Sequence, residues 1–237
     1  MQQKKTGAKA PNHTENQTAE TARVGRSGLS TRRLSEGAIC LALSLALCYL
    51  KIPVGFGTGG SIDFVMIPLL VFAVRWGLGW GTLVGFSFGV LKYFIGNGFA
   101  ISWVSIFLDY AFAYAAVGFA GLFRPSANAE RSKNTAGASD ASDTAHTAST
   151  RVKANPYRLF PLATFVGCFA RFLVHFVSGI TVYRMYMPEV FLNLPMTSAT
   201  VYSILYNGLY MLPNTVIALI LAFVLRPLLP RLGGRHI

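Results

Sequence analysis

The chain has 237 residues, of which 53% are hydrophobic, with a mean hydropathy of +0.47 and a formal net charge of +12. This composition is too apolar for an ordinary soluble domain and is typical of a protein that crosses a membrane several times. The basic residues lie mostly in the tails and in one loop, which indicates membrane-topology signals and argues against nucleic-acid binding. The three cysteines have neither a CxxC spacing nor a histidine partner, so neither a disulfide nor a metal site is expected.

Six apolar segments, each predicted to be a transmembrane helix, follow a polar tail. The tail, residues 1–34, is basic and lacks periodic apolar positions, so we expect it to be disordered and cytoplasmic. The membrane domain covers 35–235, and its spans are predicted at 35–53, 62–75, 78–96, 101–123, 158–183 and 199–226. Between spans four and five, the polar, low-complexity segment 125–157 is predicted to be a flexible cytoplasmic linker. The predicted fold is therefore an all-α integral membrane protein with six transmembrane helices.

The distribution of Lys and Arg predicts how these spans are oriented. Seventeen of the 21 basic residues fall in the N-terminal tail, at the end of span two, in and beside the linker, or in the C-terminal tail. Because positively charged loops stay in the cytoplasm, both termini are expected there. Lys51 and Arg184 belong to the opposite side, whereas Lys92 and Arg171 fall within spans.

A single carboxylate, Asp109, lies inside the fourth span, ISWVSIFLDYAFAYAAVGFAGLF. A helix that starts near Ile101 would place this carboxylate roughly 12 Å below one membrane surface. An ionised side chain there costs at least ~2.5–3.5 kcal/mol unless something compensates it. Such a residue is either paired inside the helix bundle or marks a site for a cationic or hydrogen-bond-donating ligand.

Several polar and aromatic residues, and one glycine, are predicted at the depth of Asp109. They are Tyr110 in span four, His175, Gly179 and Tyr183 in span five, and Tyr202, Tyr206 and Asn207 in span six. The three residues of span five recur every four positions and therefore share one helix face. This convergence predicts a ligand pocket that faces outward. The alternative is a structural hydrogen-bond network between helices.

Small residues recur every four positions in two of the spans. Ala38, Ala42 and Ala46 form an alanine ridge on span one, and Gly81, Gly85 and Gly89 form a glycine ridge on span three. Such faces allow helices to approach closely in lipid. We expect the glycine ridge to pack within the bundle. The alanine ridge could dock a partner subunit or pack within the chain.

The stretch Gly85-Phe86-Ser87-Phe88-Gly89 matches the G-x-S-x-G pattern of a nucleophilic serine. That motif requires a strand–turn–helix context, whereas this stretch lies inside an apolar helix. Ser87, in the middle of span three, is not expected to meet His175. An intramembrane serine protease is therefore a minor alternative.

These residues carry a resemblance to a known family. The chain resembles, over about 35–226, the thiamine-specific substrate-binding subunit (S component) of bacterial energy-coupling factor transporters. The resemblance rests on the alanine ridge and on IPLLVFAVRWGLGWGTLVGFSFGVL (67–91), LDYAFAYAAVGFAGLF (108–123), RFLVHFVSGI (171–180) and YSILYNG (202–208). It implies a six-helix bundle in the bacterial cell membrane that captures thiamine at the outer face, is not an enzyme and needs no cofactor. It also implies a partner module, in which a coupling protein docks on the alanine ridge and two cytoplasmic ATPases hydrolyse ATP.

The resemblance also implies which residues bind the ligand. Carried over residue by residue, the family's binding residues fall on Asp109, Tyr110, His175, Gly179, Tyr202 and Asn207. Tyr183 stands where the family has a tryptophan, the tryptophan of the first outer loop is absent from the glycine-rich stretch 55–60, and Phe99 replaces a tyrosine. That stretch could act as a lid.

The chemistry of thiamine fits these residue types. Thiamine carries a fixed thiazolium charge and an aminopyrimidine, which a desolvated carboxylate, aromatic faces and hydrogen-bonding side chains can hold. An S component for another heteroaromatic vitamin or for a thiamine precursor, and a stand-alone carrier, remain alternatives.

Overall fold

The structure, a computed structural model, describes residues 31–54, 60–95, 100–125 and 155–232. The predictions for residues 1–30, for the loop residues 55–59, for Phe99 and for the linker residues 126–154 lie outside this part of the chain. The chain divides into two compact units, Met1–Ala38 and Ile39–Ile237. In the first unit, residues 31–38 are helical, so the helix begins inside the predicted tail, and Arg32 Nε lies 2.9 Å from Glu36 Oε1 one turn later.

The described residues are mostly helical, with two short hairpins. Helix α1 covers residues 31–47 and is followed by β1 (Ile52–Pro53), which pairs antiparallel with β2 (Ser61–Ile62). Helices α2 (Met66–Trp76), α3 (Leu78–Ile95), α4 (Trp103–Phe123) and α5 (Phe160–Thr181) come next. A 3₁₀ turn (Tyr183–Tyr186) and the hairpin of β3 (Val190–Phe191) with β4 (Leu194–Pro195) lead to α6 (Ala199–Leu225) and to α7 (Leu229–Leu232).

Among the described residues, four helices are long and apolar enough to cross a membrane. They are α3, α4, α5 and α6, with 18, 21, 22 and 27 residues. Their bounds agree with predicted spans three to six to within a few residues. The protein is therefore a largely helical membrane protein, as predicted, whereas the count of six spans and the cytoplasmic location of both termini stay predictions.

Helix α2 is shorter than its predicted span. The apolar run predicts a helix over 62–75, but α2 begins at Met66 and has 11 residues, about half of what a span needs. The chain before it is held by a side chain of α6. The Asp63 backbone N–H donates to Asn214 Oδ1 (2.8 Å), and Asn214 Nδ2 donates to the Ser61 carbonyl (2.8 Å). These bonds between distant parts of the sequence accompany the end of β2 and the bend that stand in place of the predicted first helical turn.

The glycine ridge of α3 packs against α4, as predicted. A Cβ on Gly85 would overlap the carbonyl oxygen of Tyr114, and a Cβ on Gly89 would overlap that of Tyr110. The two backbones are therefore in direct contact, which only glycine allows at these positions. The alanine ridge behaves differently, because Ala38, Ala42 and Ala46 are all exposed.

Helix α4 changes its winding along its length. It widens into a π-helix over Phe107–Phe112, returns to α-helical geometry over Ala113–Ala116 and tightens into a 3₁₀ helix over Val117–Phe123. π-Helical turns are rare and occur frequently at functional sites. The widened turn of α4 contains Asp109 and Tyr110.

The main hydrophobic core lies among the helices of the second unit. Its fully buried side chains include Leu70, Phe72, Phe88, Val117 and Phe160. A smaller cluster of Phe191, Met196 and Tyr202 joins the β3–β4 hairpin to α6. The main core holds the long helices together, and the smaller cluster fixes the hairpin beside the start of α6.

Candidate functional site

A cavity of about 200 Å³ lies within the second unit. The structure brings all seven predicted ligand-binding residues together around it: Asp109, Tyr110, His175, Gly179, Tyr183, Tyr202 and Asn207. Two of the lining residues, Lys51 and Tyr186, are exposed, so the cavity reaches the surface there. Other lining residues are buried, among them Asp63, Tyr114 and Arg171. Whether the seven residues bind a ligand stays a prediction.

Asp109 and His175 form a buried pair in the cavity wall. Asp109 Oδ1 lies 3.2 Å from His175 Nδ1, and the two side chains are 12% and 10% exposed. Asp109 Oδ2 and His175 Nε2 are buried and have no hydrogen-bond partner among the described residues. When Nδ1–H donates to the carboxylate, Nε2 is left as an acceptor. The pair therefore holds two acceptor atoms that suit a ligand with hydrogen-bond donors or a positive charge.

Two consecutive residues of α4 reach the same cavity. In a regular α-helix, adjacent side chains point about 100° apart, and in the wider π-helical turn the angle is somewhat smaller. Asp109 and Tyr110 lie in the widened turn, and both line the cavity. The Tyr110 ring is packed edge-on against Tyr93 of α3, with the ring centroids 5.3 Å apart.

Tyr183 lies just after the end of α5, in the 3₁₀ turn, and is half-buried beside Asp109. Burial and then the negative charge of Asp109 raise the pKa of the Tyr183 phenol above its ordinary value. Tyr183 is therefore neutral at physiological pH. It presents an uncharged ring to the cavity next to the carboxylate.

Three tyrosines of α6 line the cavity as a row. Tyr202, Tyr206 and Tyr210 recur every four residues, with centroid distances of 5.7 Å between the first two rings and 5.8 Å between the last two. The Tyr210 ring then meets the His175 ring edge-on at 6.3 Å. Sequence reasoning missed Tyr210, although its spacing of i+8 from Tyr202 could have identified it.

Gly179 and Asn207 hold α5 against α6 besides lining the cavity. A Cβ on Gly179 would overlap the hydroxyl of Ser203 on α6. Asn207 Nδ2 donates to the carbonyls of Ser203 (2.9 Å) and His175 (3.3 Å), and Asn207 Oδ1 accepts from the Tyr210 hydroxyl (2.9 Å). The space beside the Gly179 backbone is thus taken by a side chain of the neighbouring helix.

The buried part of the cavity lining contains a charge network that sequence reasoning did not assign to the site. Lys92 Nζ lies 3.1 Å from Asp63 Oδ2 and also donates to the Tyr114 hydroxyl. Arg171 Nη2 donates to the same hydroxyl (3.0 Å), and its guanidinium carbon lies 4.3 Å from the centroid of the Tyr114 ring. The sequence signal that could have identified this network is the position of Lys92 and Arg171 inside predicted spans, because a cation within the membrane needs a partner.

Ser87 does not take part in this site. Its hydroxyl donates to the Leu83 carbonyl one turn earlier in α3 (2.9 Å), and Ser87 is not among the residues that line the cavity with His175. Back-bonding of this kind is ordinary for a serine in an apolar helix. The arrangement gives no support to a serine nucleophile.

The comparisons with known proteins identify the family of this chain. Residues 34–233 match the family described as Thiamine transporter protein (Thia_YuaJ). The thiamine transporter ThiT of Bacillus subtilis is 30% identical over 205 residues, which cover 84% of this chain and 93% of the relative. ThiT of Lacticaseibacillus paracasei is 29% identical over 201 residues, which cover 83% and 88%.

A solved structure of ThiT from Listeria monocytogenes has the same fold. It matches with a TM-score of 0.64 at 22% identity, over 86% of this chain and 98% of that chain. The family match covers most of the chain and includes every candidate site residue. The chain therefore belongs to the thiamine transporter protein family, and it is a non-enzymatic membrane protein.

Proposed function

We propose that this protein captures thiamine as the substrate-binding component of a membrane transporter. The observation that carries the proposal is the Asp109–His175 pair, which leaves one carboxylate oxygen and one imidazole nitrogen buried without partners among the described residues. Thiamine supplies what these atoms lack, because it has a permanent positive charge and an exocyclic amine that donates hydrogen bonds. Membership of the thiamine transporter protein family supports the same ligand.

The aromatic side chains around the cavity suit the two flat rings of thiamine. Tyr110 and Tyr183 lie near Asp109, and the row on α6 forms another part of the wall. A cation over an aromatic face is stabilised by about 0.5–2 kcal/mol, and more when it is desolvated. Asp109 therefore balances the thiazolium charge, while the tyrosines supply the surfaces against which the rings pack.

The exposed part of the cavity lining, with Lys51 and Tyr186, is proposed to face the outside of a bacterial cell membrane. The support is the distribution of Lys and Arg, which favours a cytoplasmic location for both termini. In that orientation thiamine enters the cavity from outside and reaches Asp109 within the outer half of α4.

The alanine ridge is proposed as the docking face for an energy-coupling factor module, in which a transmembrane coupling protein is driven by two ATPases. Ala42 and Ala46 are exposed, and so is Ala38 one turn earlier. A face of small side chains lets a second membrane helix approach closely. The glycine ridge of α3, by contrast, is already covered by α4.

Titration of the purified protein with thiamine, followed by intrinsic tyrosine and tryptophan fluorescence, tests the proposed ligand. We expect saturable binding, with a higher affinity for thiamine than for the isolated pyrimidine or for other heteroaromatic vitamins. A competitor that binds more tightly than thiamine would identify a different S-component ligand. Absence of any thiamine binding would overturn the proposal.

Ala42→Trp separates docking from ligand capture. We expect the purified variant to bind thiamine normally, because Ala42 does not line the cavity. Cells that carry it should fail to accumulate thiamine, and the variant should not co-purify with an ATPase module, because the indole prevents close helix approach. Phe165→Trp, which places the same indole at an exposed position of α5, is the control and should keep uptake. Normal uptake by Ala42→Trp would exclude the ridge as the docking face.

A further inference from the structure

The β3–β4 hairpin meets the cavity wall through one aromatic ring. Phe191 is 7% exposed, whereas its neighbours Val190 and Leu194 are 60% and 50% exposed. The Phe191 ring packs edge-on against Tyr202, with centroids 5.3 Å apart and an interplanar angle of 89°, and lies 6.0 Å from Tyr206 at 59°. Both tyrosines line the cavity and Phe191 does not. Any effect of Phe191 on a ligand must therefore pass through these two rings.

The turn of the hairpin sets the direction of this ring. Leu192 and Asn193 have φ angles of +53° and +62°, a conformation that residues other than glycine rarely adopt. Two consecutive positive φ angles are typical of the tightest hairpin turns. The turn pairs Phe191 with Leu194, and the Met196 N–H closes the base of the hairpin by donating to the Glu189 carbonyl (2.8 Å). The Leu192 side chain is itself exposed, so its positive φ angle allows the tight turn and does not bury the side chain.

The two tyrosines that Phe191 contacts begin the row of rings that continues to the Asp109–His175 pair. Tyr202 and Tyr206 are stacked at an interplanar angle of 30°, and the row continues through Tyr210. Aromatic rings prefer edge-to-face contact, because the positive edge of one ring meets the negative face of another. Such a contact fixes the orientation of a ring, and an aliphatic side chain of similar size would only fill the space.

We propose that Phe191 is a positioning residue for the ligand site, which holds Tyr202 and Tyr206 in the orientation that packs against a bound heteroaromatic cation. This inference rests on the proposed function, because it takes thiamine as the ligand. It adds the β3–β4 hairpin to the parts of the chain that determine how long the ligand stays bound. The distinguishing property of position 191 is its aromatic ring rather than its volume.

The experiment compares Phe191→Leu, which removes the ring, with Phe191→Tyr, which keeps it, in the full-length purified protein. We expect thiamine to dissociate about three- to tenfold faster from Phe191→Leu, the range that corresponds to loss of ring-to-ring contacts. Phe191→Tyr should stay within about twofold of wild type, as should Val190→Ala on the exposed face of the same strand. The melting temperature of the ligand-free protein should fall by at most a few degrees in Phe191→Leu, which loses buried ring contacts, and should stay near the wild-type value in the other two.

Near-UV circular dichroism of the ligand-free proteins gives a second readout, because it reports the fixed orientation of tyrosine rings. Phe191→Leu should reduce the tyrosine signal and Phe191→Tyr should preserve the band shape. A wild-type dissociation rate and spectrum in Phe191→Leu would overturn the inference. Equal losses in the Leu and Tyr variants, or a lowered melting temperature that explains the loss, would also overturn it. If Phe191→Leu does not fold, Phe191→Met replaces it and is judged by the same criteria.

If the wild-type protein binds no thiamine, the proposed function fails. The dichroism of the ligand-free variants then still decides whether Phe191 orients the rings, so the two failures are distinguishable.

Discussion

Asp63 and Asp109 line the same cavity but are accommodated in different ways. Asp63 Oδ2 is 3.1 Å from Lys92 Nζ, and Asp63 Oδ1 accepts from the Val65 N–H (3.4 Å). Asp109 has one oxygen near His175 and one buried oxygen without a partner among the described residues. A buried acid that the chain satisfies stabilises the bundle, whereas a half-satisfied acid is a place for a ligand. The number of partnered oxygens separates the two roles better than depth in the membrane does.

Lys92→Met is expected to have the largest effect, and the effect falls on stability. It leaves the buried Asp63 carboxylate without its cation, and breaking a buried ion pair costs about 3–5 kcal/mol. The melting temperature of the purified protein should fall strongly. In the double variant Asp63→Asn/Lys92→Met the uncompensated charge is gone, so most of the loss should be recovered. A double variant no more stable than Lys92→Met would contradict the view that Lys92 compensates the buried charge of Asp63.

Asp109→Asn is expected to affect binding instead of stability. Loss of one charge-assisted hydrogen bond, about 1.5–3 kcal/mol, should weaken thiamine binding by more than an order of magnitude. The ligand-free protein should melt no lower than wild type, because Asp109 Oδ2 has no partner to lose among the described residues. Asp63→Asn is the matched control, with the opposite pattern expected. Unchanged thiamine affinity in Asp109→Asn would remove this residue from the site.

Tyr183 is expected to show the smallest effect of the three positions. Its ring lies beside Asp109 at the end of α5, so a stacked ligand would lose about 0.5–1.5 kcal/mol in Tyr183→Ala. Tyr183→Trp should keep or improve the affinity, because a larger ring remains available. Isothermal titration of the three proteins with thiamine measures the differences. Equal affinities would place Tyr183 outside the ligand contacts.

The sequence predicted that α4, α5 and α6 line the cavity because the argument depended only on depth. Asp109, His175 and Asn207 fall at similar distances from the outer ends of their spans, and side chains at one depth in a bundle of long helices lie close together. Hydropathy also located α3 to α6 well, since each is a long, nearly uninterrupted apolar run. These are properties of single segments, so they can be deduced without knowing how the segments pack.

What could not be predicted depends on how each helix is rotated and on contacts between distant parts of the chain. Depth does not say which way Lys92 faces, so its pairing with Asp63 was not foreseen. The start of α2 is fixed through Asn214, which lies 151 residues after Asp63 and bonds its backbone. The π-helical turn of α4 was likewise not foreseen, and its backbone at Tyr110 contacts Gly89 of the glycine ridge.

The widened turn of α4 shifts the angular positions of the residues after it relative to those before it. Residues before Phe107 follow one angular register, and residues after Phe112 follow another. A π-helical turn closes its hydrogen bonds over one residue more than an α-helical turn. Deleting a single residue from this turn would therefore let α4 run as one regular α-helix, with Tyr114 still beside Lys92 and Arg171 and the backbone still against the glycine ridge. The residues that would be rearranged are those of the turn itself, which include Asp109 and Tyr110, so we expect the extra residue to matter more for the cavity than for the packing of the bundle.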